Sequence, residues 1–185
     1  MTTSLTYYSL RIELTRIEPM IWRRLLVPAT ITLPKLHRAI QGAMGWTNNH
    51  LHQFHIGDDC YSEPDPFGDR KLVDEKGVKL SAVLVGQVRE FIYEYDFGDD
   101  WQHRVVLEQS REAHPSWKGS LCTAGQRACP PEDVGGVWGY GEFLSAIANP
   151  KHEQHVDMLR WIGGVFDPEG FDINSANSRI RRMKA

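Results

Sequence analysis

Long apolar runs are missing from this sequence. No stretch approaches the roughly 20 consecutive apolar residues that a membrane-spanning helix needs. The first ten residues, MTTSLTYYSL, also lack the basic-then-apolar order of a signal peptide. These absences predict a cytoplasmic protein with no membrane partner.

The chain has few cysteines and no excess of positive charge. The chain has three cysteines, an odd and small number that does not support a disulfide framework and is typical of a reducing compartment. Its 21 Lys and Arg residues stand against 24 Asp and Glu, for a formal net charge of -3. This balance disfavours a broadly basic nucleic-acid-binding protein, although it leaves a local basic patch open.

What remains has the composition of a globular domain. The chain has 185 residues, of which 41% are hydrophobic and 24% are charged. A core of this size buries about 70% of the surface that the unfolded chain exposes, so folding requires neither a metal nor a disulfide. Because no internal repeat or low-complexity linker interrupts the sequence, we expect a single domain over residues 1–185.

The hydrophobic period changes twice in the first third of the chain. Residues 8–14 alternate apolar and polar side chains, and residues 21–27 form a second β-rich run, which together predict an antiparallel hairpin. Residues 33–44 then repeat apolar positions every three or four residues, with Gly45 placed to end a helix. Alternation returns over residues 50–56. The fold is therefore expected to open strand-strand-helix-strand.

The middle of the chain predicts a loop and a second hairpin. Residues 57–77 are rich in acids and poor in aliphatic side chains, which favours a long solvated loop. A helical turn is expected at 80–84. The alternating runs 91–97 and 101–108 flank Gly98-Asp99-Asp100, whose residue types are those of a tight turn.

The last third predicts an irregular segment followed by helices. Residues 110–139 are rich in Gly, Pro and polar side chains, so a long loop is expected there. Breaker residues delimit helices at 141–148 and 152–162, and a third is expected at about 174–183. The whole pattern indicates an α+β fold with a mainly antiparallel sheet and helices at the C-terminal end.

Several strings in this order resemble one known family. The most specific are YEYDFGDDWQH at 93–103 and CPPEDVGG at 129–136, and IWRR at 21–24, MGW at 44–46, HLH at 50–52 and GY at 139–140 add to them. The sequence resembles the plasmid pRiA4b Orf-3-like family, which includes an insertion-element passenger protein called TnpR. The resemblance covers about residues 5–175, and it implies a single-domain α/β roll and an association with plasmids and transposons. It implies no particular reaction.

The passenger name suggests a resolvase, which the residues do not support. A serine recombinase needs a nucleophilic Ser beside several arginines, and a tyrosine recombinase needs a His-x-x-Arg pair with a Tyr. Ser9 lies within an alternating strand, and no His-x-x-Arg occurs in the sequence.

A zinc site is one candidate for chemistry. Two thiols in the irregular loop, Cys122 and Cys129, and two imidazoles three residues apart, His152 and His155, are ligand types that hold structural zinc. The six residues between the cysteines exceed the usual spacing of a zinc knuckle. The alternative is that the cysteines are small buried hydrophobic residues and the histidines lie on a helix surface.

A His/Asp centre is the second candidate. His50 and His52 share one side of a predicted strand, and Asp96 and His103 flank the turn of the second hairpin, so the four are candidate catalytic residues of a metal-dependent enzyme. The alternative is that Asp96 pairs with His103 across the strands and only orients a structural histidine. For Asp99 and Asp100, hydrogen bonding to local backbone amides of the turn is the favoured interpretation.

Binding surfaces form the third group of candidates. Two acids, Glu132 and Asp133, lie beside a Gly-Gly pair and either line a binding cleft or serve a rigid loop. A basic cluster near the C-terminus predicts a solvent-facing patch for phosphates; it consists of Arg179, Arg181, Arg182 and Lys184.

Two functions therefore stay open at this point. The leading one is an accessory, non-catalytic binding protein of mobile elements that engages nucleic acid or another protein through residues 110–140 and the basic C-terminal helix. The alternative is a metal-dependent enzyme built on the His/Asp centre, with zinc among the candidate metals.

Overall fold

The computed structural model describes residues 5–64, 72–113 and 119–183 of the chain. Within these ranges it contains eight strands and five helices. The strands are β1 (Leu5–Leu14), β2 (Trp22–Pro28), β3 (His52–Ile56), β4 (Asp59–Ser62), β5 (Val73–Asp74), β6 (Glu90–Tyr95), β7 (Trp101–Ala113) and β8 (Leu121–Gln126). The helices are α1 (Leu33–Met44), α2 (Leu80–Val83), α3 (Gly136–Ala148), α4 (His155–Trp161) and α5 (Ile173–Arg182).

All eight strands belong to one sheet, in the order β5-β4-β3-β6-β7-β1-β2-β8. Neighbouring strands are antiparallel except for the short β4–β5 pair. Strand β1 lies between β2 and β7, so the first strand of the chain joins elements from both of its halves. The expected α+β fold with a mainly antiparallel sheet and C-terminal helices is confirmed.

The expected opening and the second hairpin are also confirmed. Strand β1 pairs with β2 in the register Leu10 to Leu25, α1 follows, and β6 pairs with β7 in the register Tyr93 to His103. The third strand begins at His52 rather than at residue 50, so His50 lies just before the strand.

Two segments expected as loops contain strands. Residues 57–77 include β4 and β5, and residues 110–139 include β8, the last residues of β7 and the start of α3. The composition of these segments favours turns, but β8 pairs with β2, and β7 continues to Ala113 because β1 supplies a partner as far as Leu5. Pairing with strands distant in sequence overrides the local preference.

The core is formed by buried residues of the sheet and of α1, and α5 packs against both α1 and β8. Gly42 allows this helix contact, because a Cβ at Gly42 would lie 2.7 Å from the backbone nitrogen of Ile180. Buried Arg23 joins α1 to the far strand of the sheet, since it donates hydrogen bonds to the carbonyl oxygens of Ala43 and Gln126. In the part of the chain that the structure describes, no helix has the length and apolarity to cross a membrane.

Candidate metal centre

Three segments distant in the chain meet at the end of the sheet where β3 begins and β6 ends. His50 lies just before β3, Asp96 directly follows β6, and these two strands are antiparallel neighbours. Asp133 comes from the loop that leads into α3. The Nε2 atom of His50 lies 3.0 Å from Asp133 Oδ1 and 3.5 Å from Asp96 Oδ2.

The turn after β6 holds Asp96 in a fixed orientation. Its φ of 58° lies in the left-handed region, which Asp tolerates better than most residues with a side chain. One carboxylate oxygen, Oδ1, accepts hydrogen bonds from the backbone nitrogens of Gly98 at 3.0 Å and Asp99 at 3.3 Å. The other oxygen, Oδ2, is the one that lies beside His50. Bonding to local amides was expected of Asp99, and Asp96 makes these bonds instead.

The loop that carries Asp133 is attached through its neighbour Glu132. That carboxylate accepts hydrogen bonds from the Thr47 backbone nitrogen at 3.0 Å and from the Tyr95 hydroxyl at 2.6 Å. Burial and the adjacent Glu132 raise the pKa of Tyr95, so the hydroxyl keeps its proton and acts as a donor. Trp46 adds a hydrogen bond from its indole nitrogen to the Pro130 carbonyl oxygen, at 2.9 Å.

Two glycines bring the same loop onto the turn after β6. The Gly135 backbone nitrogen donates to Asp99 Oδ2 at 3.2 Å. Gly136 has a φ of 67°, and a Cβ there would lie 2.5 Å from the Asp99 carbonyl oxygen. No residue with a side chain fits this contact without displacement, so the Gly-Gly pair sets how closely Asp133 approaches His50.

The three side chains form a metal-ligand group. One nitrogen and two carboxylate oxygens, from His50, Asp96 and Asp133, all lie within 4.8 Å of one another, and no other group of three or more such ligands is found in residues 5–64, 72–113 and 119–183. The Nε2 atom of His50 is enclosed between the two carboxylates, at ion-pair distance from both but without hydrogen-bond geometry to either. Asp96 is buried, whereas the Asp133 side chain is 70% exposed. An ion held here would therefore face solvent on one side.

His52 belongs to a different, buried cluster. Its Nε2 lies 3.1 Å from Glu75 Oε2, and its ring stacks on that of His37 at a centroid distance of 3.5 Å. His37 Nδ1 lies 2.8 Å from the Tyr93 hydroxyl, and burial, with His52 as a second cause, lowers the pKa of His37 to about 3. Glu75 had no distinguishing signal in sequence, because it lies in the acid-rich segment 57–77, which was expected to be a solvated loop.

His103 is a core residue and does not join His50. It is 0% exposed, and its Nδ1 donates to the carbonyl oxygen of Tyr93, its partner across the hairpin. Burial lowers the pKa of His103 to about 4. The expected pairing with Asp96 is therefore wrong, because Asp96 lies in the turn beyond the last paired residues, Tyr95 and Trp101.

The structure does not bring the four candidate zinc ligands together. No three of Cys122, Cys129, His152 and His155 place their ligand atoms within 4.8 Å of one another, as His50, Asp96 and Asp133 do. The Cys122 thiol donates to the Ala124 carbonyl oxygen at 3.3 Å, and burial raises the pKa of Cys129 to about 12. His155 Nδ1 donates to the Ala146 carbonyl oxygen at 2.8 Å and so attaches α4 to α3. The zinc hypothesis has no geometric support from these residues.

The basic cluster divides into two kinds of residue. Arg179 is half-buried, and its Nε donates to the Gly42 carbonyl oxygen at 3.0 Å, so it helps to hold α5 against α1. Arg181 and Arg182 are exposed at the end of α5. Lys184 lies outside the described residues. The expectation that all four face solvent is wrong for Arg179.

Comparison with known proteins gives concordant matches over nearly the whole chain. A family model described as plasmid pRiA4b ORF-3-like protein matches residues 6–175. The chain is 39% identical over 178 residues to the uncharacterized protein y4hQ of Sinorhizobium fredii, covering 95% of this chain and 91% of the relative. It is also similar to the crystal structure of MM3350, a protein of unknown function from Methanosarcina mazei Go1, with a TM-score of 0.85 and 41% identity over 93% of this chain and 98% of that one.

Proposed function

The chain belongs to the plasmid pRiA4b ORF-3-like family, and from its geometry we propose that it binds a divalent metal ion through His50, Asp96 and Asp133 in an open centre suited to hydrolytic chemistry. The observation that carries this proposal is the convergence of three ligand atoms within 4.8 Å of one another, with the enclosed His50 Nε2 atom between two carboxylates. An imidazole nitrogen with two nearby carboxylate oxygens is a ligand set for zinc, manganese or iron.

The surrounding residues supply what an open metal centre needs. Metal ligands are usually oriented by further hydrogen bonds. Here two backbone amides orient the Asp96 carboxylate, and the Tyr95–Glu132 bond fixes the loop that carries Asp133. Three protein ligands with one exposed side are typical of catalytic rather than structural sites. A divalent ion in such a site lowers the pKa of a bound water and polarises a substrate carbonyl or phosphoryl group.

Metal binding is tested by calorimetric titration of chelator-treated, dialysed protein with Zn²⁺ and with Mn²⁺. We expect one ion per chain and at least tenfold weaker binding in Asp96→Asn and in Asp133→Asn, because each change removes a ligand charge. Asn accepts the left-handed φ of 58° and 59° at these positions, so both variants are expected to fold.

The matched control is Asp58→Asn, which removes an exposed acid between β3 and β4. Its metal affinity is expected to equal that of the wild type. If the wild type binds neither ion at millimolar concentration, or if the two ligand variants bind as tightly as the control, the three side chains form an ion pair and the proposal is wrong.

The accessory role with nucleic acid or another protein as partner stays a prediction. Exposed Arg181 and Arg182 favour it, and the structural role of Arg179 reduces the number of free cations at this end of the chain.

A further inference from the structure

A groove begins at the metal ligand Asp133 and continues between α3 and α4. Its volume is about 290 Å³. Its walls include four apolar side chains, which are Val134, Phe143, Met158 and Trp161, and its polar members are Asp133, Glu142 and Gln154. The groove thus combines apolar with polar side chains, and it shares Asp133, but neither His50 nor Asp96, with the proposed metal centre.

Helix α4 forms one wall of the groove and is only loosely covered. None of its residues is buried, and Trp161 at its end is 47% exposed. The Trp161 ring meets the Phe143 ring edge to face at a centroid distance of 5.7 Å, and His155 bonds α4 to α3. Apolar side chains that are half-covered in this way gain burial when an apolar ligand lies against them.

The size of the groove limits what it accepts. A cavity of about 150 Å³ lined by aliphatic and aromatic side chains admits benzene, so 290 Å³ has room for one aromatic ring or a short acyl chain together with its linking atoms. The carboxylates of Asp133 and Glu142 disfavour an anionic tail in the groove, because like charges repel at short range.

Because Asp133 belongs to both, and apolar side chains lie beside it in the groove, we propose that the groove binds the apolar tail of the ligand that coordinates the metal ion. The ligand class is a small molecule with a metal-coordinating oxygen group at one end and a neutral aromatic or short acyl group at the other. The inference rests on the proposed metal centre, since Asp133 is both a metal ligand and part of the groove.

The probes are acetohydroxamic acid and benzohydroxamic acid, which present the same chelating group and differ in the tail. Each is titrated into the metal-loaded protein, and each is also measured against the free metal ion to correct for intrinsic chelation. We expect benzohydroxamic acid to bind about tenfold more tightly or better after this correction, because its ring leaves water.

The variants Trp161→Ala and Met158→Ala are expected to remove most of this preference and to leave metal affinity unchanged. Val156→Ala is the matched control, because Val156 lies on α4, is 62% exposed and does not line the groove. Far-UV circular dichroism and the urea-unfolding midpoint of all three variants establish that the fold is retained.

Metal affinity is measured first, so the two proposals fail in distinguishable ways. Absence of metal binding overturns both. Normal metal binding with equal corrected affinity for the two hydroxamates, or a preference that survives in both groove variants, overturns the groove proposal alone.

Discussion

Asp96 uses its two carboxylate oxygens for different purposes. One oxygen accepts from the amides of Gly98 and Asp99, which fixes the turn, and the other faces His50. A glutamate in this place would extend its carboxylate beyond both amides, and an asparagine would keep the turn while losing the charge. The residue type is therefore required by the turn and by the proposed metal at once.

Two histidines are buried in the neutral form. The pKa of His103 is lowered to about 4 and that of His37 to about 3, in both cases chiefly by burial. Between the unfolded value of about 6.5 and these lowered values, the unfolded chain takes up protons that the folded chain does not. The free energy of unfolding therefore falls as pH decreases from about 6.5 toward 4.

We expect His103→Gln to flatten this pH dependence. Each buried histidine contributes at most about 1.4 kcal/mol per pH unit, and about 3 kcal/mol over the full interval for His103. Urea unfolding at several pH values between 7 and about 4 measures the slope. The control His55→Gln changes an exposed residue and should retain the wild-type slope; an equally steep slope in His103→Gln would contradict the account.

At the scale of elements, the decisive contact is between the loop before α3 and the turn after β6. Glycine at 136 lets the loop backbone lie directly on the Asp99 backbone, and the Gly135 backbone nitrogen donates to the Asp99 side chain. The hydrogen bonds on Glu132 then hold the same loop to β6 and to the residues that precede β3. Asp133 is placed by these contacts and not by any preference of its own sequence.

Gly136→Ala is expected to destabilise the protein by about 1–3 kcal/mol, because the new Cβ meets the Asp99 carbonyl oxygen and φ is positive. Metal binding should weaken at least tenfold as Asp133 moves. Gly141→Ala in the same helix has open space around its Cβ and is expected to stabilise by about 0.5–1 kcal/mol. Urea unfolding and metal titration measure both, and equal behaviour of the two variants would refute the contact.

At the scale of the whole molecule, the sheet interleaves the two ends of the chain. Strand β1 pairs with β2 on one side and β7 on the other, β8 pairs with β2, and α5 packs on α1. Neither half of the chain contains all the partners of its own strands. The molecule is therefore expected to unfold as one unit.

A single cooperative transition is the expected result of urea unfolding. Tryptophan fluorescence, to which the buried Trp46 and Trp101 contribute, should share its midpoint with far-UV circular dichroism. Measurements at two protein concentrations separate unfolding from association. Two resolved midpoints would indicate two independent units and would contradict the single-domain prediction.

Elements with strong local signals were predictable from sequence. The alternation in β1 and β2, the three-to-four residue spacing in α1 and the Gly-Asp-Asp turn between β6 and β7 each express a local preference. Strand β8 was not predictable in this way, because its segment is rich in turn-forming residues and its partner β2 is distant in sequence. Strand β4 forms a hairpin with β3 across Gly57-Asp58, a local turn signal that was instead taken as part of a long loop. The start of α3 at Gly136 was missed because glycines usually end helices rather than begin them.

The sequence by itself determined the fold class, the family resemblance and the residue types available for metal chemistry, since composition and periodicity are local properties of the chain. Which of those residues meet was decided by the tertiary structure. Because β3 pairs with β6, His50 lies beside Asp96, whereas His52 and His103 are buried. Asp133 joins His50 and Asp96 because its loop packs against the turn after β6. Contacts between segments far apart in sequence depend on the packing of the whole sheet, which no local pattern encodes.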